Sequence, residues 1–480
     1  MPSVKQNVAW STILTMAGYV FPLITFPYIT RVLGVEGIGS IQFAESVISY
    51  FTIFATLGIG TVGVREIAKA KGKRDDLNRA FSGLLFLNLL LTILAIIVLF
   101  ILISIIPSFE SHSKLLYIGI SRILCGTLMI EWFFKGIEDF KYITVRTLLI
   151  RTLYVFSVFI FVRDADDTLL YFLLTSLTIV ISAIINIIYS KRSVTFTLKK
   201  LDLKPYIKPL VIMGLYLVLT SMYNSFNVIF LGNYHGDVEV GYYSTTVKLY
   251  NLIMSVFTAF TGVMLPRMST LISEGKDDEF RIMTSKSIDV LLLFCLPIMV
   301  LTEVYAPQII RIIAGTGYEG AIVPMRIVMP LMLVIGYEQI IILQMLMPLG
   351  KDNAILTNSA VGAVVALILN LTIVPMLASI GTAIVWCACE IVVAGMAQYF
   401  VTKYSGYKLP FKKIATSILA YVPALLVCCL LNRFNNNQFV SFAVGIVFTG
   451  IYFLMIELFV LKNSLLINNF SILKERFIRH

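Results

Sequence analysis

Apolar residues run along this chain in blocks about twenty residues long, and the polar residues collect in the gaps between them. Fourteen blocks can be marked, near 8–30, 37–60, 80–106, 113–134, 143–162, 169–190, 207–231, 242–264, 286–304, 325–349, 355–377, 382–401, 413–431 and 439–461. A hydrocarbon core of roughly 30 Å takes about 20 residues of helix to cross. The blocks lack the period-2 alternation of a barrel strand, and a backbone in lipid then has only the helix left. The pattern therefore predicts an all-α polytopic membrane protein of about 14 transmembrane helices. With 58% of 480 residues hydrophobic and 14% charged, no stretch is left for a soluble domain. The gaps do not exceed about twenty residues, too short for an independent catalytic domain.

Charge sets the expected orientation. With a cytoplasmic N-terminus, Lys and Arg divide 29 to 6 between cytoplasmic and opposite-side gaps, and 3 fall inside helices. Basic residues favour the cytoplasmic side, so both termini are expected there. The inner clusters are Arg65, Lys69, Lys71, Lys73, Arg74 and Arg79, then Lys191, Arg192, Lys199, Lys200, Lys204 and Lys208. Lys403, Lys408, Lys412 and Lys413 follow, then Lys474, Arg476 and Arg479. The net charge of +11 thus reports topology and contact with anionic headgroups, and the scatter of these residues excludes nucleic acid as a partner. The apolar run through Ile29 outlasts a signal-peptide core, so it reads as a retained first helix.

An internal repeat is visible at an offset of 203 residues, where Val35-Glu36 falls on Val238-Glu239, Gly72-Lys73 on Gly275-Lys276 and Asp75 on Asp278. An even number of helices separates the copies, so two lobes would share one orientation, the parallel-repeat design of many transporters. The expected organisation is an N-terminal lobe over 1–205, a C-terminal lobe over 206–402 and a helix pair with a tail over 403–480.

Candidate chemistry is sparse. Cys125, Cys295, Cys387, Cys389, Cys428 and Cys429 lie inside predicted spans without ligand spacing, and His112, His235 and His480 lie in loops or at the end. A metal centre, a histidine-based nucleophile or a cofactor has little to be built from. A charge near mid-bilayer costs about 2.5–3.5 kcal/mol on insertion scales, so each marks a candidate site. These are Glu45, Arg122, Glu131, Arg151, Lys248, Glu338 and Glu390. Glu45, Arg122 and Lys248 lie roughly 10–13 Å from the outer face at 1.5 Å per residue, and Glu45 and Lys248 are equivalent under the repeat. They read as one charged layer, or as a snorkelling lysine and a locally paired ion pair. Glu338 and Glu390 are the deepest carboxyls, suited to carrying H⁺ or Na⁺ or to a structural hydrogen bond. Arg31 reads as a guard of the outer mouth or as an interfacial anchor. Gly18, Pro22 and Pro27 make the first span the best candidate for a bending gate. Sequences without a G-x-x-x-x-G-K-[ST] loop, such as this one, offer no P-loop for ATP.

The segment Phe26-Pro27-Tyr28-Ile29-Thr30-Arg31-Val32-Leu33-Gly34 with Gly37-Ile38-Gly39 resembles the polysaccharide-transporter family of bacterial lipid-linked oligosaccharide flippases of the Wzx type. So do Phe230-Leu231-Gly232 and Val240-Gly241-Tyr242-Tyr243-Ser244 leading into Lys248-Leu249-Tyr250. That family belongs with MurJ-type lipid II flippases and the multidrug and toxin extrusion exporters. The resemblance covers the chain and implies two six-helix lobes around a cavity that opens alternately to each side. It further implies a bacterial plasma (inner) membrane location, a polyprenyl-diphosphate-linked glycan as substrate, and work beside polysaccharide polymerase machinery. Arg31 and Lys248 match the family's cationic lining, and Arg122 and Tyr250 join them here as candidate substrate contacts. Glu45, Glu338 and Glu390 are the candidate ion-coupling residues. Members often carry an acid in helix 7, where this chain has Asn227.

The physical case runs the same way. A glycan hydroxyl dehydrated without a partner costs about 1–3 kcal/mol, and a diphosphate far more, so the head group needs a wet, cationic path. Two other classes stay open: an ion-coupled exporter of small amphipathic molecules, and an integral-membrane enzyme of glycan assembly using a membrane-face acidic group such as Asp164, Asp166 and Asp167.

Overall fold

The computed structural model describes residues 4–197, 201–224, 226–434, 437–463 and 466–467. Lys199, Lys200, Lys474, Arg476, Arg479 and His480 lie outside the described residues. Those described form helices, short 3₁₀ and π turns and their connections. Twelve helices are long and apolar enough to cross a bilayer, or thirteen if the bent pair Glu319–Val328 and Leu331–Leu346 counts as one span. The first, Ala9–Ala70, is 62 residues long and contains the non-helical residue Gly34 (φ 67°, ψ 179°). Counted as two crossings on either side of Gly34, it brings the total to the fourteen expected from the hydropathy blocks. The chain is a multi-pass membrane protein.

The surface is inverted relative to a water-soluble bundle. On the helix Arg74–Ile105, Leu90, Ile93, Leu94, Ile97 and Ile101 are exposed, while Asn88, Thr92, Ala95, Leu99 and Ile103 make a buried stripe. The Thr92 and Thr127 hydroxyls meet across it at 2.6 Å. Lipid accepts the apolar face, and the polar groups find each other inside.

Several breaks fall elsewhere than the prolines suggested. The first helix, Val4–Thr56, passes through Pro22 and Pro27 with helical dihedrals, and its interruption is at Gly34, where an L side chain would be strained. The block 207–231 divides into Lys204–Asn224 and Asn227–His235. The block 113–134 divides at Ile130, whose φ of 40° separates Ser113–Leu128 from Glu131–Gly136. The block 325–349 does break at its proline. Ile322–Val328 gives way at Met329 and Pro330 to Leu331–Ile341, bent by 40°, and a π turn Ile342–Leu346 follows. Other helices outlast their hydropathy blocks, as Asp237–Ser273 does with 37 residues, because their polar ends stay helical.

The repeat is visible in the element boundaries. Gly72 and Gly275 both have positive φ, and the helices that follow begin at Arg74 and Asp277, 203 residues apart. The chain divides into two compact units, Met1–Ser244 with Asn370–Ala378, and Thr245–Leu369 with Ser379–His480. The division between the units falls inside the helix Asp237–Ser273.

Within the first unit, the segments Gly37-Ile38-Gly39 and Val240-Gly241-Tyr242 form a close helix crossing. A Cβ on Gly39 would stand 1.8 Å from the Asp237 carbonyl oxygen, and one on Gly241 2.2 Å from the Val35 carbonyl oxygen. Only hydrogen fits at either place, the small-residue solution to helix contact in lipid.

Candidate functional sites

Beside that crossing, the N-terminal unit places Glu45 against Arg122. Arg122 donates from Nη1 to Glu45 Oε1 at 3.2 Å, and Gln42, one turn earlier on Glu45's own helix, donates from Nε2 to Oε2 at 2.6 Å. The guanidinium lies 5.0 Å from the centre of the fully buried Phe172 ring. Tyr154 and Tyr171 complete the wall, with ring centres 6.5 Å apart. Both oxygens of the carboxylate are occupied and the cation is neutralised, so neither charge stands alone as the sequence allowed. Side-chain exposures of 17% for Arg122 and 27% for Glu45 leave the pair access to water from one side.

The same unit holds a second group near Trp10, whose carbonyl accepts from Thr144 Oγ1 at 3.0 Å. Glu131, first residue of its short helix, takes a hydrogen bond from Arg146 Nη2 at 2.8 Å and lies 3.4 Å from Lys135 Nζ. Arg151 stands on the helix that carries Arg146, beside Gly18.

At the turn between Pro107–Ser111 and Ser113–Leu128, His112 Nε2 meets Asp237 Oδ1 at 2.8 Å, and Nδ1 meets the Ser108 carbonyl at 2.7 Å. Burial pulls His112 down, but the hydrogen bonds from Asp237 and Ser108 and the Asp237 charge outweigh it, so the net shift is above the ordinary histidine value. Its ring also rests on Phe43, centres 4.6 Å apart.

In the second unit, Glu338 and Glu390 bring their carboxyls into hydrogen-bond contact. Such a bond needs one carboxyl to carry a proton as donor. Trp386 Nε1 donates to Glu390 Oε1 at 3.0 Å, four residues away on one helix face. Glu338 is held on a short helix between the Pro330 bend and the π turn, a backbone irregularity that frequently marks functional sites. Tyr250 is 2% exposed, with its ring edge-on to Trp386 at 5.0 Å.

Of the other predicted residues, Lys248 is half-buried in the second unit, and Arg31 is exposed, donating to the Pro27 carbonyl of its own helix at 2.5 Å. Asn227 is fully buried and accepts from Asn370 Nδ2 at 2.6 Å, a neutral pair where an acid was expected from the resemblance. Sequence reasoning missed Gln42, Arg146, Trp386 and the His112–Asp237 contact. Helical spacing of three and four residues could have found Gln42 and Trp386. The contacts of Arg146 and His112 span 15 and 125 residues and carry no local signal. Among the described residues, no group of three His, Cys, Asp or Glu is placed to hold a metal ion.

An inverted helical surface around internal ion pairs and a buried carboxyl pair is the build of a membrane transporter. The polysaccharide biosynthesis protein family matches residues 4–272, more than half of the chain, and the protein belongs to that family. The MatE family matches 213–372. In Escherichia coli K12 the "Putative O-antigen transporter" is 23% identical over 83% of this chain and 97% of its own length. Its namesake in Shigella dysenteriae is 24% identical over 76% and 91%. The fold is similar to that of the lipid II flippase MurJ in an inward closed conformation, with a TM-score of 0.77 at 14% identity, covering 93% of this chain and 97% of that one. An inward-facing multidrug-resistance MATE transporter aligns with a TM-score of 0.63 at 14% identity, over 82% of this chain and all of that one.

Proposed function

We propose that the protein is a flippase that carries polyprenyl-diphosphate-linked oligosaccharide from the cytoplasmic to the outer leaflet of a bacterial plasma membrane by alternating access. The observation that carries this reading is the similarity, over 76–83% of this chain and 91–97% of their own lengths, to the two relatives named "Putative O-antigen transporter". The internal charges support it, because a glycan diphosphate crosses hydrocarbon only along polar, cationic groups. Lys248, Arg122 and Arg31 are the candidate contacts, with Arg122 available once the substrate competes with Glu45. Both termini face the cytoplasm in this reading, and a reporter active only outside the cell should stay silent when fused at the C-terminus.

Deletion of the gene should cause lipid-linked glycan intermediates to accumulate, and the intact chain should restore surface glycan. Lys248→Ala should abolish that rescue at normal expression, while Lys248→Arg keeps the charge and part of the function. Normal surface glycan without the chain would remove the reading.

The Glu338–Glu390 pair favours coupling to a proton, because a carboxyl pair sharing one proton can bind or release it as the site changes sides. An ion-coupled exporter of small amphipathic molecules is the second reading, favoured by the MatE match and by the same pair. It predicts export of amphipathic compounds without any effect of the chain on surface glycan.

A further inference from the structure

The charges around Arg146 serve neither the Glu45–Arg122 pair nor the Glu338–Glu390 pair. Arg146 is 6% exposed, and its Nη2 is taken up by Glu131 Oε1 at 2.8 Å and Thr147 Oγ1 at 2.9 Å. Its Nε and Nη1 are buried with no acceptor. Arg151 lies on the same helix, its Nη1 3.7 Å from where a Cβ on Gly18 would stand, and that nitrogen too is buried without a partner. Glu131 and Arg146 are the charges that act on Arg151. Lys135 lies 3.4 Å from the same carboxylate, so Glu131 is paired with two cations and acts at longer range on a third, Arg151. Glu138, the next acid along, is paired with Lys71 at 2.7 Å, and Asp139 accepts from the Tyr142 backbone and the Tyr189 hydroxyl.

A guanidinium stays charged at any physiological pH, and its donors are directed in a rigid fork. Water would satisfy those donors but would not balance the surplus charge. A ligand that does both is anionic and carries several acceptor oxygens, as a phosphoryl group does. The lipid-facing side of this helix, with Leu149, Leu153 and Phe156 exposed, suits a ligand whose tail remains in the bilayer.

We propose that Arg146 and Arg151, framed by Glu131, Lys135 and the first helix at Gly18, form a phosphoryl-binding site that receives the diphosphate of a lipid-linked substrate. Glu131 holds Arg146 in place and moderates the field, so that the anion can leave again. The site rests on the flippase reading and deepens it: with a cytoplasmic N-terminus it stands on the loading side of the first unit.

The test is ligand binding to the purified full chain in nanodiscs of zwitterionic lipid, read by native mass spectrometry. Polyprenyl diphosphate, phosphatidylglycerol and inorganic pyrophosphate are the three probes, and Arg151→Gln and Arg146→Lys the variants. Polyprenyl diphosphate should bind about tenfold more weakly to Arg151→Gln, with unchanged thermal unfolding, and Arg146→Lys should lose less because it keeps the charge. Unchanged binding in Arg151→Gln overturns the site, and that variant decides alone if Arg146→Lys does not fold. Arginine-dependent binding of phosphatidylglycerol in preference to polyprenyl diphosphate keeps the phosphoryl chemistry and overturns the diphosphate assignment. Arginine-dependent pyrophosphate binding without either lipid does the same. Rescue of surface glycan is scored separately. A chain that restores glycan while its Arg151→Gln form binds normally refutes the site and leaves the flippase standing, whereas a chain that neither restores glycan nor binds any probe refutes both.

Discussion

His112 meets the Asp237 carboxylate at one ring nitrogen, 2.8 Å away, and the Ser108 carbonyl at the other, 2.7 Å away, and two acceptors of this kind favour the protonated ring. This contact spans 125 residues and ties the turn before the helix Ser113–Leu128 to the start of Asp237–Ser273.

A raised folded-state value means that the stabilisation is fully present below the ordinary histidine range and is lost as the pH rises through the folded value. The temperature of thermal unfolding in detergent should therefore fall as the pH is raised from below the ordinary histidine value to above it. His112→Gln should be less stable at the acidic end and should flatten the dependence. A His112→Gln profile parallel to the parent's would exclude this residue as its source.

The crossing at Gly39 and Gly241 should be intolerant of a single methyl group. Gly39→Ala and Gly241→Ala push a Cβ onto backbone oxygens at 1.8 and 2.2 Å, so each should destabilise by about 1–3 kcal/mol or prevent folding. Gly60→Ala, where nothing lies within 4 Å of the added carbon, is the control and should be neutral or stabilising. The comparison is made by thermal unfolding or by yield of folded monomer.

Glu45 and Arg122 should show strong coupling in a double-mutant cycle. Removing either leaves a charge half-enclosed among Phe172, Tyr154 and Tyr171, at a cost of about 2–3 kcal/mol, below the range for fully buried pairs because both side chains retain some exposure. Removing both should cost less than the sum. Additive single effects would mean that the ion pair does not hold the two helices.

Glu390→Gln keeps an acceptor for Trp386 and a donor for Glu338 but cannot exchange a proton. Substrate flux in proteoliposomes with an imposed pH gradient should lose its gradient response in Glu390→Gln and Glu338→Gln, with folding intact. Flux in the parent that ignores both pH and Na⁺ gradients would leave a flippase driven by removal of its product.

The apolar blocks, their number and the 203-residue repeat were legible in the chain because lipid imposes a local rule. Each crossing must be about twenty apolar residues in a helix, whatever its neighbours are. The sequence by itself also marked Glu45, Arg122, Glu131, Arg151, Glu338 and Glu390, since a charge in such a block is conspicuous. What it could not supply was their partners on other helices. Arg146 sits near the start of its helix, and only the fold shows it enclosed against Glu131 with two of its nitrogens bare. Tyr250 packs its ring edge-on against Trp386, a contact across 136 residues that no local pattern announces. Pro22 and Pro27 looked like breaks, yet the chain broke at Gly34, because backbone freedom rather than the missing donor decided where the first helix turns. Pairing, enclosure and the place of a break depend on what another helix presents across the contact, and only the tertiary structure decides that.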